Sequence, residues 1–322
     1  MRRTNLPTML AATLAVPLAL GAASPAAAAD DRGSRPAAYA LSGDPSGSRF
    51  EGIGVDPARR TFYVSEVTGG EIHRGDVRTG VTREWLPEGA DGRTTARGIT
   101  TDRHGRVYIA GGPNGLGTDR PDLWVYEPDG TLLAALRVDV PDAFLNDVAI
   151  GPDGAAYVTD SNAPQVFRVA REGGRWRVSL WADATGVVER RPGFNLGGIV
   201  VSPDRRALVV AQGTTGDLWR FDLRSRAVTP IDTGGADLTN ADGLVLHGTR
   251  LVVIRNFSRA IATLRLDPHA QSARLLDEAP TDPARVFTTG KVAAGRLLLV
   301  DSKFDEPTAA PPYEVVAVPL PR

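Results

Sequence analysis

The sequence has 322 residues, a formal net charge of −1 and no cysteine. Without cysteine the chain has no disulfide bonds, no thiolate nucleophile and no sulfur ligand for a metal. The near-neutral charge argues against a nucleic acid or an anionic membrane bound through a basic surface.

The start of the chain has the pattern of a secretory signal. Arg2 and Arg3 precede an apolar stretch from about residue 6 to residue 22, and small residues continue to Ala29. Polar residues and a proline interrupt this stretch, which is shorter than the roughly 20 apolar residues of a membrane-spanning helix. We therefore expect cleavage after Ala29 and a secreted protein with no integral membrane segment. The arginine pair leaves both general and twin-arginine export open.

Six similar strings recur along the rest of the chain. They are EGIGVD from Glu51, RGITTD from Arg97, NDVAIG from Asn146, GGIVVS from Gly197, DGLVLH from Asp242 and RVFTTG from Arg285. Within each string apolar residues alternate with others, as they do along a β-strand. The strings start 46, 49, 51, 45 and 43 residues apart. Units of this length predict a repeat architecture.

Further short strands are predicted after each string. A turn such as Asp153-Gly154 leads to a second run such as AAYVT, and a third run with aromatic or branched residues follows, such as QVFRV. The first five units add a fourth run, for example WRVSLWA from Trp176. Four strands per unit, with glycine and proline turns and no amphipathic helix, predict an all-β, six-bladed β-propeller.

The sixth unit ends after three runs. A strand-like run at residues 37–41 can supply the missing fourth strand, which closes the ring and covers an exposed sheet edge. A solenoid of six sheets leaves this run unexplained. We therefore expect a signal peptide at 1–29, a short flexible segment at 30–36 and one propeller domain at 37–322, in a monomeric protein.

The first strand of each blade lines the channel of a propeller, so the opening residues of the six strings form a ring. The predicted ring consists of Glu51, Arg97, Asn146, Gly197, Asp242 and Arg285. Charges at such positions need local partners. Either oxygen atoms of Glu51, Asn146 and Asp242 bind a divalent cation, or the two arginines pair with the two acids. The arginines could also bind polar groups of a substrate.

The order and spacing of four runs resemble those of a known family. The runs are Glu51-Gly-Ile-Gly-Val-Asp-Pro, Asn146-Asp-Val-Ala-Ile-Gly-Pro-Asp-Gly, Gly198-Ile-Val-Val-Ser-Pro-Asp and Asn240-Ala-Asp-Gly-Leu. They resemble the senescence-marker-protein, gluconolactonase and luciferin-regenerating-enzyme family over essentially the whole chain after residue 29. The resemblance implies a six-bladed propeller with a divalent metal on its axis, Ca²⁺ or otherwise Mg²⁺, Mn²⁺ or Zn²⁺, and hydrolysis of lactones and related esters.

The resemblance also implies roles for three ring residues. Glu51 matches the family's metal-binding glutamate, and Asp242 matches the metal-binding aspartate that acts as general base. Asn146 matches an asparagine that faces metal-bound water or substrate, and is therefore a candidate for both metal and substrate binding.

One ring position departs from the family pattern. Gly197 stands where the family has an asparagine ligand, so that ligand is missing from its expected place. Asn195, two residues earlier, is the candidate to reach into the site instead. We predict contacts with the substrate from Asn195 and from the two ring arginines, Arg97 and Arg285.

These patterns together predict a metal-dependent hydrolase acting on a lactone or small ester. Asp242 would take a proton from water while the cation polarises the carbonyl. A serine nucleophile is not expected, because the sequence has no Gly-x-Ser-x-Gly elbow. The alternative, favoured by Gly197 and the arginines, is a non-catalytic propeller that binds a small ligand or a protein at the channel mouth.

Overall fold

The computed structural model describes residues 35–112 and 121–321. These residues form 24 β-strands in six four-stranded antiparallel sheets, with a short 3₁₀ turn at Ala90–Gly92. The predicted signal at 1–29 and the start of the 30–36 segment lie outside the described residues. Within the described ranges, no helix has the length and apolar character needed to cross a membrane.

Each of the first five blades consists of four consecutive strands. Blade 1 contains β2 (Phe50–Val55), β3 (Thr61–Glu66), β4 (Ile72–Asp76) and β5 (Thr82–Leu86); blade 2 contains β6 (Ala96–Thr101), β7 (Val107–Gly111), β8 (Leu123–Tyr126) and β9 (Leu132–Leu136); blade 3 contains β10 (Leu145–Ile150), β11 (Ala156–Asp160), β12 (Gln165–Glu172) and β13 (Arg175–Asp183). Blade 4 contains β14 (Leu196–Val201), β15 (Ala207–Gln212), β16 (Asp217–Asp222) and β17 (Val228–Pro230); blade 5 contains β18 (Ala241–His247), β19 (Arg250–Arg255), β20 (Ala260–Leu266) and β21 (Ala273–Pro280).

Blade 6 joins the two ends of the domain. It contains β22 (Phe287–Ala293), β23 (Arg296–Asp301) and β24 (Tyr313–Pro319), and its outer strand is β1 (Ala38–Leu41). β1 pairs antiparallel with β24, with Tyr39 opposite Val315. The predicted closure of the ring by the two terminal strands is thereby confirmed.

The innermost strands form a closed circle around the channel. Each contacts the innermost strands of the two neighbouring blades, and β22 of blade 6 contacts β2 of blade 1. Equivalent residues of these strands therefore face one axis, as the repeat predicts.

Hydrophobic residues fill the spaces between neighbouring blades. Within the described residues, six buried apolar clusters occur, one at each interface between neighbouring blades. At the interface between blades 6 and 1, Tyr39 meets Phe62 edge to face with ring centroids 4.9 Å apart. The Tyr39 hydroxyl donates to the Val77 carbonyl at 2.8 Å, so its one polar atom is satisfied. These interfaces hold the innermost strands rigidly in place.

Candidate active site

Each innermost strand has a β-bulge at the start, and this feature creates the site. In blade 1, Phe50 pairs with Glu66 and Ile53 pairs with Val64, so β2 carries one extra residue. The same irregularity occurs in all six innermost strands. A bulge leaves residues unpaired and redirects their side chains. The first bulge residues of the six blades are Glu51, Arg97, Asn146, Gly197, Asp242 and Thr288.

The ring differs from the sequence prediction in blade 6. Thr288 occupies the ring position, whereas Arg285 precedes β22 and points its guanidinium to Asp301 and Glu314, at 3.1 and 2.6 Å. The predicted place of Arg285 in the ring is therefore wrong, and its contact with substrate stays a prediction. The string RVFTTG was aligned three residues too early, because the residue before the ring position is apolar in every blade and is Phe287 here.

Two carboxyl groups, that of the buried Glu51 and that of the half-buried Asp242, line the floor of one cavity. Glu51 is 8% exposed, and burial raises its pKa to about 7, with Arg97 opposing the rise and Asp147 adding to it. Burial also raises the pKa of Asp242 well above its ordinary value, and the negative charge of Glu51 adds to the effect. The structure thus brings together the two acids predicted to bind the metal.

Arg97 lies beside Glu51 and is 1% exposed. Its Nε is 3.9 Å from Oε2 of Glu51, and its guanidinium lies 4.0 Å from the centre of the Phe144 ring. Asp242 has no arginine or lysine partner among the described residues. Of the predicted network of two arginines and two acids, one pair is therefore present and the second is absent.

Asn146 presents its amide oxygen as a free acceptor. Its Nδ2 donates to Oγ of Ser161 at 2.8 Å, and Ser161 in turn donates to the Leu196 carbonyl at 2.8 Å. No donor within the described part of the chain reaches Asn146 Oδ1, and the residue lines the same cavity as the two acids. This orientation suits a metal ligand or a contact with substrate.

Asn256 is a site residue that the sequence analysis missed. It follows β19, and its Nδ2 donates to Oδ2 of Asp242 at 2.8 Å while its Oδ1 accepts from the Phe257 amide at 2.6 Å. The hydrogen bond lowers the pKa of Asp242 against the larger effect of burial. The only signal in the sequence was a polar residue directly after an apolar strand, which is too common to single it out.

Asn195 lies at the cavity wall but its amide is occupied. Nδ2 donates to the carbonyls of Ser161, Arg191 and Gly193, and Oδ1 accepts from the Arg191 amide. Asn195 is 1% exposed and holds the 191–195 loop. Its side chain is therefore not free to replace the missing ligand at Gly197, and its contact with substrate stays a prediction.

Gly197 leaves open space beside Asp242. A Cβ atom built on Gly197 would have one neighbour, the Asp242 carbonyl oxygen at 3.7 Å, which is an ordinary van der Waals distance. At the next residue, Gly198, a Cβ atom would collide with that same carbonyl. Gly198 is thus required for close packing of blades 4 and 5, whereas Gly197 is not.

Asp147 is a further acid on the channel and is 7% exposed. It occupies the second bulge position, and its carboxylate accepts from the amides of Val148 at 2.8 Å and Ile199 at 3.1 Å. Burial raises the pKa of Asp147 while Lys291 opposes the rise. One oxygen accepts from an amide of blade 3 and the other from an amide of blade 4, so Asp147 connects these two blades.

A cavity of about 400 Å³ lies above the two acids, within the usual range for a small-molecule site. Its polar floor contains Glu51, Arg97, Asn146, Asp242 and Asn256, and its wall contains Phe144, Phe194, Phe257 and Phe304. Phe144 and Phe194 meet edge to face with ring centroids 5.5 Å apart. The arrangement can enclose a small molecule whose reacting group lies against the acids.

The floor offers oxygen atoms that suit a hard cation, and two of the three residues that supply them carry a negative charge. In residues 35–112 and 121–321, no group of three or more His, Asp or Glu side chains is placed to hold a metal ion. Glu51, Asp242 and the free amide oxygen of Asn146 offer oxygen ligands, which Ca²⁺ and Mg²⁺ prefer. A divalent charge would also offset the mutual repulsion of the two carboxylates.

Comparison with known families supports the resemblance seen in the sequence. The model of the SMP-30/gluconolactonase/LRE-like region matches residues 50–252, which include the bulges of blades 1 to 5. A comparison with curated proteins finds no match.

Several solved structures share the fold. The major allergen Mala s 1 of Malassezia sympodialis is 17% identical, with a TM-score of 0.66 over 88% of this chain and 96% of that chain. A gluconolactonase of Xanthomonas campestris is 17% identical, with a TM-score of 0.59 over 86% of this chain and 87% of that chain. Regucalcin of Agrobacterium tumefaciens, described as a calcium-binding protein, is 18% identical, with a TM-score of 0.58 over 86% and 97%. At these identities the likeness shows the fold.

Proposed function

This chain belongs to the SMP-30/gluconolactonase/LRE-like family, and we propose that it is an exported hydrolase of a lactone or small ester. One observation supports the proposal above all others. Two acids with raised pKa values and a free amide oxygen converge on the floor of a cavity large enough for a small substrate. The basic and apolar start of the sequence supports export.

A divalent cation, Ca²⁺ in the first instance, would be held by Glu51, Asp242 and Asn146 Oδ1. When bound, it supplies a positive charge that polarises a carbonyl and favours ionisation of water. The donor chemistry supports this assignment, since all three ligands are oxygen atoms. The calcium-binding neighbour is consistent with it.

Asp242 would move the proton in the reaction. Asn256 holds its Oδ2, which leaves Oδ1 without a hydrogen-bond partner among the described residues. As a water oxygen forms a bond to the lactone carbonyl carbon, Oδ1 takes one of its protons. When the bond between the carbonyl carbon and the ring oxygen breaks, the same proton passes to the leaving alkoxide. The product is a hydroxy acid.

Arg97 would orient the substrate and the product. Its Nε faces Glu51 and the guanidinium stacks on Phe144, so the position of the positive charge on the cavity floor is fixed. A guanidinium is well suited to the carbonyl oxygen of the substrate and to the carboxylate of the product.

The test is an assay of purified protein against a panel of lactones and aryl esters. The protein is first treated with chelator, and Ca²⁺, Mg²⁺, Mn²⁺ or Zn²⁺ is then added singly. We expect hydrolysis that depends on one of these ions. The absence of hydrolysis under every condition would overturn the proposal.

A second candidate function is a propeller that binds a ligand without turnover. Gly197 lacks the side chain of the family's asparagine, and Arg97 already balances the negative charge of Glu51. Saturable binding of a lactone in calorimetry, without release of the hydroxy acid, would support this function over hydrolysis.

A further inference from the structure

The apolar side chains of the cavity wall indicate which substituents a substrate can carry, whereas the acidic floor concerns only its reacting group. We propose that the site takes a lactone or ester bearing an aromatic or alkyl substituent, rather than a polyhydroxylated sugar lactone. This inference rests on the proposed function, because it assigns the substrate class of the same site.

Four phenylalanines from four blades meet around the cavity. Phe144 precedes β10, Phe194 precedes β14, Phe257 follows β19 and Phe304 follows β23. Each lies in a loop outside the repeated strand pattern, so the propeller fold does not require an aromatic residue at these places. Their convergence above the acids gives the cavity an apolar wall, which binds apolar groups by removing them from water.

Two of these rings remain open to solvent. Phe194 is 54% exposed and Phe257 is 45% exposed, whereas the phenylalanines of the blade interfaces, such as Phe50 and Phe62, are fully buried. Exposed aromatic surface at the edge of a concave site is typical of a surface that a ligand covers. A substituent lying between Phe194 and Phe257 would bury both.

Several polar side chains near the phenylalanines already donate hydrogen bonds within the protein. Thr214 donates its hydroxyl to the Phe194 carbonyl at 2.7 Å, and Asn240 donates Nδ2 to Ser258 at 3.0 Å. The amide of Asn195 is occupied by backbone groups of its own loop. A sugar lactone carries several hydroxyl groups, and enclosing them without hydrogen-bond partners is unfavourable. The wall therefore disfavours such a substrate.

Gly197 adds room at the floor. Because a side chain at this position would meet nothing closer than the Asp242 carbonyl at 3.7 Å, the glycine leaves space beside the reacting group. A substituent on the carbon next to the ring oxygen can occupy this space while the carbonyl remains near Asp242.

The experiment compares six-membered lactones that share an alkoxide leaving group. They are δ-valerolactone, δ-decalactone, δ-phenyl-δ-valerolactone and glucono-δ-lactone. We expect kcat/KM for δ-phenyl-δ-valerolactone and for δ-decalactone, which carries a pentyl substituent, to exceed that for δ-valerolactone by roughly 10-fold, and glucono-δ-lactone to be the poorest substrate. A preference for glucono-δ-lactone over the phenyl compound would overturn the inference while leaving the proposed hydrolase intact.

Three variants locate the preference. In Phe194→Ser and in Phe257→Ser, the ratio of kcat/KM for the phenyl compound to that for δ-valerolactone should fall roughly 5-fold or more. Leu180→Ser is the matched control, because Leu180 is 43% exposed on the outer strand of blade 3. An unchanged ratio in both phenylalanine variants would overturn the inference.

A binding measurement separates this inference from the hydrolase proposal. δ-Valerolactam and its δ-phenyl derivative resemble the lactones but resist hydrolysis, and calorimetry gives their Kd values. Tighter binding of the phenyl lactam that is lost in Phe194→Ser supports the inference even if no lactone is hydrolysed. Equal affinity for the two lactams would contradict it even if hydrolysis occurs.

Discussion

Asn256 donates a hydrogen bond of 2.8 Å from Nδ2 to Oδ2 of Asp242. It thereby connects the end of the second strand of blade 5 to the bulge of the first strand. The contact fixes one oxygen of the carboxylate and lowers its pKa, while burial and the charge of Glu51 raise it. Asp242 is therefore held in one orientation, with its other oxygen unpartnered among the described residues.

The first prediction concerns Asp242 itself. Asp242→Asn should reduce kcat by roughly 10²–10⁴-fold, because an amide cannot accept the proton of the attacking water. Circular dichroism and the thermal midpoint should show that the protein remains folded. Asp277→Asn, at an exposed position on β21, is the control and should retain activity. Normal turnover in Asp242→Asn would show that another group is the base.

The second prediction concerns Asn256 as a positioning residue. Asn256→Ala removes a hydrogen bond that lowers the pKa of Asp242, so the acidic limb of the pH–rate profile should move to higher pH. At neutral pH we expect kcat to fall roughly 10-fold, with part of the activity recovered at alkaline pH. Ser258→Ala, in the same turn, should leave the profile in place. An unshifted limb in Asn256→Ala would mean that the contact does not act on the base.

The sequence predicted the parts of the site that repeat and missed those that do not. The blade pattern located Glu51, Asn146 and Asp242 because every blade places one residue at the same bulge. The repeat pattern placed Arg285 in the ring because that residue is charged. The apolar residue before each ring position, here Phe287, identifies Thr288 instead. Asn256 and the phenylalanines lie in loops, whose positions depend on contacts between blades rather than on any period along the chain.

The third prediction links pH, metal and stability. Burial raises the pKa of Glu51 to about 7, above its ordinary value of 4.5, so the folded protein binds more protons than the unfolded chain between these values. The stabilisation is complete below 4.5 and is lost as the pH rises through about 7. In chelator we therefore expect a lower Tm at pH 8.5 than at pH 5.5, and a smaller decrease when Ca²⁺ is present.

The matched variant for this measurement is Glu51→Gln. It removes the titrating group, so the decrease of Tm between the two pH values should be smaller than in the unmodified protein. The comparison is needed because other acids, including Asp147, also have raised pKa values. An identical decrease in both proteins would show that Glu51 does not contribute.

The fourth prediction assigns Arg285 to stability rather than to substrate binding. Its guanidinium contacts Asp301, which is fully buried, as well as Glu314 and Asp282. Arg285→Ala leaves a buried carboxylate with Lys303 as its remaining basic partner, and should lower the free energy of unfolding by roughly 3 kcal/mol. The KM for lactones should not change. Denaturant titration measures the loss of stability, and Arg177→Ala, at an exposed position, is the control. A changed KM in an Arg285→Ala protein of unchanged stability would reverse the assignment.

The last prediction tests what the missing side chain at Gly197 does. Gly197→Asn adds an amide to the floor, and its Cβ fits because the nearest atom is the Asp242 carbonyl oxygen at 3.7 Å. An additional oxygen ligand should tighten Ca²⁺ binding on the order of 10-fold, as measured by calorimetry. The same side chain fills the space beside Asp242, so kcat/KM for δ-phenyl-δ-valerolactone should fall relative to δ-valerolactone.

Gly198→Ala is the structural contrast, because its Cβ collides with the Asp242 carbonyl and should destabilise the protein. Unchanged Ca²⁺ affinity in a folded Gly197→Asn protein would mean that the cation does not bind between Glu51 and Asp242.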